Sequence, residues 1–200
     1  MSEKTITLTI DGVEISAQPG QTILEAAEAA GIYIPHLCRK KELEPFNSCR
    51  ICTVVVNGRP QPACVQPVAD GMVVENETED LQDHRRSLLE MLFKEGNHFC
   101  PFCEKSGNCE MQALAYRLGM TDPIHTFQWP QREVDASHPD IWIDRNRCIL
   151  CGRCVTASRD LDGKGVFGFV GRGPHKRVAV NAEARLRDTN ADVTDQACEV

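Results

Sequence analysis

The chain has 200 residues, 42% hydrophobic and 6% aromatic, enough for one or two small cores or several metal-stapled modules in a row. A formal net charge of −7 and a pI of about 5.4 exclude a nucleic-acid binder, which needs a basic footprint. The opening MSEKTITLTIDG has no basic segment followed by an apolar one, so no signal peptide is expected, and no apolar run approaches a membrane span. There are 11 cysteines, an odd count that argues against a closed disulfide framework. In a cytoplasmic chain thiols stay reduced, so clustered cysteines read as metal ligands.

Residues 5–10, TITLTI, alternate as a strand does, Asp11-Gly12 is a hairpin turn, and VEISA (13–17) returns as a second strand. TILEAAEAAG (22–31) reads as a helix, with Thr22 as cap, Glu25 three residues later and Gly31 at the end. TVVV (53–56) is a further strand, Asn57-Gly58 a turn, and Val73 and Val74 complete a small sheet. A small α+β domain is therefore expected over 1–78. From 79 the period changes. Leu81, Arg85, Leu88, Leu89, Leu92 and Phe93 mark one helix face ending near Gly96, and MQALAYRL (111–118) can form a second helix, giving a helical segment over 79–118. Residues 119–140, proline-containing and polar, read as a connector, and 141–200 form a last segment.

Three cysteine groups carry the chemistry. The first is Cys38-x10-Cys49-x2-Cys52-x11-Cys64. Four thiolates suit a [2Fe–2S] centre or a structural zinc, and the sheet-and-helix pattern around the loop favours iron–sulfur. The second is Cys100-x2-Cys103-x5-Cys109 with His98 just upstream, a donor set for a [4Fe–4S] cube or a Cys3His zinc site. The third is Cys148-x2-Cys151-x2-Cys154, which crowds three thiolates onto one turn and suits three corners of a cube. Ser158 stands where a ferredoxin run would carry its fourth cysteine, so the fourth ligand must be distant, and Cys198 is the unassigned candidate.

Two other features read as structural. Gly163-Lys164-Gly165-Val166-Phe167-Gly168 matches a dinucleotide fingerprint, but it neither follows a buried strand nor opens a helix, so glycine-rich turns beside a strand are expected. Arg172, His175, Lys176 and Arg177 form a short basic patch, read as a solvated loop. No Ser/His/Asp or paired-carboxylate arrangement stands out.

The three groups in this order, with CPFCEKSGNCEMQ and RCILCGRC, resemble the N-terminal iron–sulfur region of the large iron–sulfur subunit of respiratory complex I. EGNHFCPFCEKSGNC (95–109), RGPHKR (172–177) and the short chain are more similar to the diaphorase iron–sulfur subunit of soluble NAD-reducing [NiFe]-hydrogenases. The resemblance covers essentially the whole chain. It implies an N-terminal β-grasp [2Fe–2S] ferredoxin domain with Cys38, Cys49, Cys52 and Cys64 as ligands. It further implies a [4Fe–4S] cluster on Cys100, Cys103, Cys109 and a histidine, and another beginning with Cys148, Cys151 and Cys154 in a ferredoxin-like segment. Two departures stand out. Gly96 occupies the position of the complex I histidine, which leaves His98 as the candidate. Cys198 is followed by Glu199 rather than proline, so either it closes the last cluster or a residue beyond the end does.

The function implied is electron relay, with no catalytic residue in this chain. The partners implied are a flavoprotein diaphorase subunit that binds NAD(H) and the small and large [NiFe]-hydrogenase subunits, in the cytoplasm, without nucleic acid or membrane. A relay in a complex I-like NADH dehydrogenase or an NAD-linked formate dehydrogenase is one alternative. A zinc-stapled interaction module is another, from a different class.

Overall fold

The structure, a computed structural model, describes residues 5–181 and 185–200, and the first four residues of the opening segment read for a signal lie outside that range. The chain divides into two compact units that alternate along the sequence. The first comprises 1–37, 49–89 and 108–121, and the second comprises 38–48, 90–107 and 122–200.

In the first unit, β1 (Ile6–Ile10) and β2 (Val13–Ala17) form the expected hairpin, with Asp11 and Gly12 both at positive φ as a tight two-residue turn requires. Helix α1 (Ile23–Ala29) starts at a full capping box. Thr22 Oγ1 accepts the Glu25 amide at 3.2 Å, and Glu25 Oε2 accepts the Thr22 amide at 2.9 Å. Gly31, at φ 72°, turns the chain out of the helix. Strands β3 (Thr53–Val56) and β4 (Arg59–Pro62) pair across Asn57-Gly58, and β5 (Met72–Glu75) lies between β1 and β3. The order β2-β1-β5-β3-β4, with β1 and β5 parallel, is the β-grasp arrangement expected. Leu8, Ile10, Val54 and Val74 join Ile23, Leu24 and Ala27 of α1 in one core. Each large aliphatic side chain there contributes about 1.5–3 kcal/mol by leaving water.

Helix α2 (Glu79–Glu95) buries Leu81, Arg85, Leu89 and Phe93 on the anticipated face, and α3 (Glu110–Arg117) buries Met111, Leu114 and Ala115. Glu90 is also buried, and its Oε1 accepts the His125 amide at 2.8 Å, a pairing the periodicity does not indicate.

The second unit is built from short pieces. Strands β6 (Val134–Asp135) and β7 (Ile143–Asp144) pair with each other, the first of them inside the stretch read as a connector. Helix α4 (Arg153–Asp160) follows the third cysteine group, and β8 (Phe167–Val170) pairs with β9 (Arg177–Val180). The glycine-rich run therefore leads into a strand, as its context suggested. No helix among the described residues is long and apolar enough to cross a membrane.

Candidate metal centres

All 11 cysteines lie within the described residues and carry thiols rather than disulfides. In the first unit, Cys52 immediately precedes β3 and Cys64 follows Ala63 at the end of β4. The β3–β4 hairpin brings these ends together, since Ala63 N donates to Cys52 O at 3.1 Å, and both thiols are buried in the core. The Cys49–Cys52 loop turns through Arg50 at φ 58°, a left-handed residue closed by Thr53 Oγ1 on the Arg50 carbonyl at 2.6 Å. Strained backbone of this kind gathers at functional loops.

Beneath this loop lies Arg85, fully buried. It donates to the carbonyls of Ile51 (3.2 Å), Thr53 (3.0 Å) and Asn76 (2.9 Å), and to Asn76 Oδ1 (2.7 Å). Burial pulls its pKa down, opposed by Glu77, Cys52, Asp11 and Tyr33. A guanidinium in the field of Cys52 offsets negative charge on that thiolate. Cys38, also buried, belongs to the second unit, where Cys151 lies within reach of its charge.

His98, Cys100 and Cys103 sit in the second unit, and Cys109 caps α3 in the first. Cys100 opens a 3-10 turn closed by Cys103 N on Cys100 O at 3.1 Å. The His98 imidazole packs edge-on against Phe93 with ring centroids 5.9 Å apart. Its Nε2 is buried and has no hydrogen-bond partner. Burial, with Arg132 and Arg147 nearby, pushes its pKa down to about 4, so the ring is neutral at ordinary pH. A neutral imidazole with an unclaimed buried nitrogen is what a metal ligand requires. Gly96 makes the room. A Cβ there would fall 2.1 Å from His98 Nε2. Cys103 Sγ also accepts from Arg147 Nη1 at 3.3 Å.

The third group lies on the turn into α4. Leu150, at φ 56°, points its amide at Cys148 Sγ (3.4 Å), and Gly152, at φ 81°, caps the helix. Burial pushes the Cys154 thiol up to about 12, with Cys151 and Cys148 adding to the effect, and burial raises Cys151 as well. Such thiols become thiolates when a cation supplies the compensating charge.

Ser158 is buried, and its polar atoms are engaged elsewhere. Its Oγ accepts the Val166 amide at 2.8 Å, and its carbonyl accepts the amides of Lys164 and Gly165, each at 2.9 Å. Cys198 lies on a 3-10 turn (Gln196–Cys198) held against the end of α4. Asp162 accepts the amides of Gln196 at 2.8 Å and Ala197 at 3.1 Å, and Ala197 packs with Ala157 and Leu43. Cys198 is an exposed residue, and its thiol donates to the Asp192 carbonyl at 3.6 Å. Burial of its sulfur, then Asp195, Asp162 and Asp192, raise its pKa.

Among the described residues, no three His, Cys, Asp or Glu side chains converge as a site for a single metal ion. Three residues of the basic patch read as a solvated loop, His175, Lys176 and Arg177, line a cleft of about 610 Å³ in the second unit together with Arg132 and Leu150. Lys176 Nζ sits 4.4 Å from the Phe169 ring centroid.

Thiol-bearing loops hung on a β-grasp sheet, followed by a neutral buried imidazole and a three-thiol turn, define the class as an iron–sulfur protein. Comparison with known families agrees. Residues 3–79 match the 2Fe-2S iron-sulfur cluster binding domain, 85–123 the NADH-ubiquinone oxidoreductase-G iron-sulfur binding region, and 138–195 the ferredoxin-like domain of NADH-quinone oxidoreductase subunit 3. These regions account for one [2Fe–2S] and two [4Fe–4S] clusters.

The chain is 42% identical over 180 residues to the gamma subunit of the NAD-reducing hydrogenase HoxS of Cupriavidus necator, covering 90% of this chain and 77% of that one. It is 33% identical over 185 residues to the mitochondrial NADH-ubiquinone oxidoreductase 78 kDa subunit of Candida albicans, covering 90% of this chain and 26% of that protein. A crystal structure of an NAD+-reducing [NiFe]-hydrogenase in the H2-reduced state contains a chain with TM-score 0.94 and 52% identity, over 98% of this chain and 83% of that one. The chain belongs to the family of iron–sulfur gamma subunits of NAD-reducing hydrogenases, related to the large iron–sulfur subunit of complex I.

Proposed function

We propose that this chain is the electron-relay subunit of an NAD-reducing [NiFe]-hydrogenase, with no catalytic site of its own. In this reading it passes electrons between a flavoprotein diaphorase subunit that handles NAD(H) and hydrogenase small and large subunits that handle H2. The observation that carries the proposal is that the three cysteine groups fall in turn within three successive regions, each matched by its own iron–sulfur or ferredoxin-like family. Cys38, Cys49, Cys52 and Cys64 hold the [2Fe–2S] cluster. His98, Cys100, Cys103 and Cys109 hold one [4Fe–4S] cluster, and Cys148, Cys151, Cys154 and Cys198 hold the other. When bound, the clusters supply one-electron storage.

The chain's own residues prepare the sites. Arg85 places a buried positive charge and fixes the carbonyls of Ile51 and Thr53 on either side of Cys52. His98 offers an unprotonated nitrogen from a pocket that Gly96 keeps open. The Leu150 amide donates to Cys148 and so offsets charge on that sulfur. The reading places the protein in the cytoplasm, where thiols stay reduced.

The test is anaerobic purification with whatever partners remain bound, followed by iron, acid-labile sulfide, nickel and EPR measurements. Iron and sulfide matching one [2Fe–2S] and two [4Fe–4S] clusters, with a nickel-containing partner, is the expected result. A colourless chain carrying stoichiometric zinc would overturn the proposal. Iron–sulfur clusters in a nickel-free assembly would reassign the partner.

A further inference from the structure

The guanidinium of Arg147 is tied at both ends. Nη1 donates to Cys103 Sγ at 3.3 Å, and Nε lies 3.3 Å from Asp144 Oδ2. Arg147 closes the 3-10 turn Arg145–Arg147, capped by Asp144 Oδ1 on the Asn146 amide at 2.9 Å. The same turn grips the histidine segment, because Asn97 N donates to the Asn146 carbonyl at 2.7 Å. It also grips the irregular stretch before β6, through Arg132 N on Asn146 Oδ1 at 2.7 Å and Asn146 Nδ2 on Arg132 O at 2.9 Å. Its neighbour Arg145 is buried and anchored to the Val178 carbonyl at 2.8 Å. The turn is therefore rigid, and it presents one cation to the sulfur of Cys103.

We propose that Arg147, oriented by Asp144, sets the reduction potential of the cluster that Cys103 ligates by donating a hydrogen bond to the ligand sulfur. The proposal rests on the reading of Cys103 as a cluster ligand. One-electron reduction adds one negative charge, part of which resides on the cysteine sulfurs. A charge-assisted donor stabilises the reduced form more than the oxidised one, so it raises the potential. The electron itself comes from the NAD(H)/H2 couple already assigned to the assembly. Arg147 is a positioning residue, since it acts through the sulfur. Its side chain is 36% exposed, which moderates the effect through solvent screening. The next residue in sequence is Cys148, so the backbone that carries this cation also carries the first ligand of the third group.

The experiment is a potentiometric EPR titration of the intact complex carrying Arg147→Met, Arg147→Lys or Asp144→Asn, with iron and sulfide measured in each. Cys103→Ser identifies the signal concerned. In Arg147→Met that signal should move to lower potential by about tenfold in its reduction equilibrium, or 59 mV for one electron. Arg147→Lys and Asp144→Asn should move it by less, and the other signals should stay in place. Full cluster content with an unmoved potential in Arg147→Met would overturn the proposal and leave the ligand assignment standing. If Arg147→Met loses the cluster, Asp144→Asn decides, and an unchanged potential there overturns the proposal. A Cys103→Ser complex with every signal intact would instead remove the ligand reading.

Discussion

Arg85 Nη2 donates to Asn76 Oδ1 at 2.7 Å, with both residues buried in the first unit. Asn76 is held in turn by Asp11, whose Oδ1 accepts the Asn76 amide at 2.7 Å. The hairpin turn, α2 and the Cys49–Cys52 loop thus share one polar network. Arg85→Met leaves the carbonyls of Ile51 and Thr53 without this donor. Leaving buried acceptors unmade costs on the order of 3 kcal/mol. The expected outcome is a lower Tm and a weakened [2Fe–2S] EPR signal, with the other two cluster signals retained. Arg85→Lys should recover little, because an ammonium cannot reproduce the guanidinium fork.

Gly96→Ala tests the histidine pocket. Alanine for glycine stabilises by about 0.4–1 kcal/mol where backbone and space allow. Here the new Cβ would meet His98 Nε2 at 2.1 Å, so the ring must move. A melting curve should show a loss of stability instead of a gain. EPR should show a change confined to the cluster assigned to His98, Cys100, Cys103 and Cys109.

Cys198→Ser should abolish or convert the EPR signal of the third cluster and leave the others. Asp162→Asn should weaken the same signal partially, since Asp162 accepts the two amides that hold the Cys198 turn against α4. Every signal intact in Cys198→Ser would exclude that residue as the ligand.

The pH response of the second unit should carry the mark of Asp135. Burial pushes its carboxyl pKa up, but hydrogen bonds from Ser137 and from the Leu186 amide, with Arg145 nearby, outweigh this and hold it below its ordinary value of 3.8. A carboxyl depressed by folding contributes its full stability above its unfolded pKa and loses it as pH falls through its folded pKa. Melting temperature should therefore drop on acidification below about pH 4, and Asp135→Asn should flatten that limb.

The sequence showed the first unit well because its signals are local. The Asp11-Gly12 turn, the Thr22–Glu25 box and the alternation of Leu8 and Ile10 each specify their own element. The cysteine spacing showed the candidate ligands for the same reason. What it did not show depends on distant partners. β6 and β7 are two residues each, too short to display a period. α4 starts at a left-handed glycine inside a motif that reads first as ligands. Arg85 fell on the apolar face by periodicity, but its four acceptors come from two separate stretches of chain, 51–53 and Asn76. The approach of Arg147 to Cys103 spans 44 positions and leaves no trace in either local motif.

Ser158 occupies the place where a two-cluster ferredoxin would carry another ligand. Its hydroxyl and carbonyl together accept three amides of the loop that leads into β8. A thiol there would be a poorer acceptor and would loosen the strand it anchors. Adding a neighbouring cluster would therefore require rebuilding the β8 entry as well as exchanging one side chain. The side chain at this position serves architecture, and the room for a further cluster in this segment is limited by how its strand is fastened.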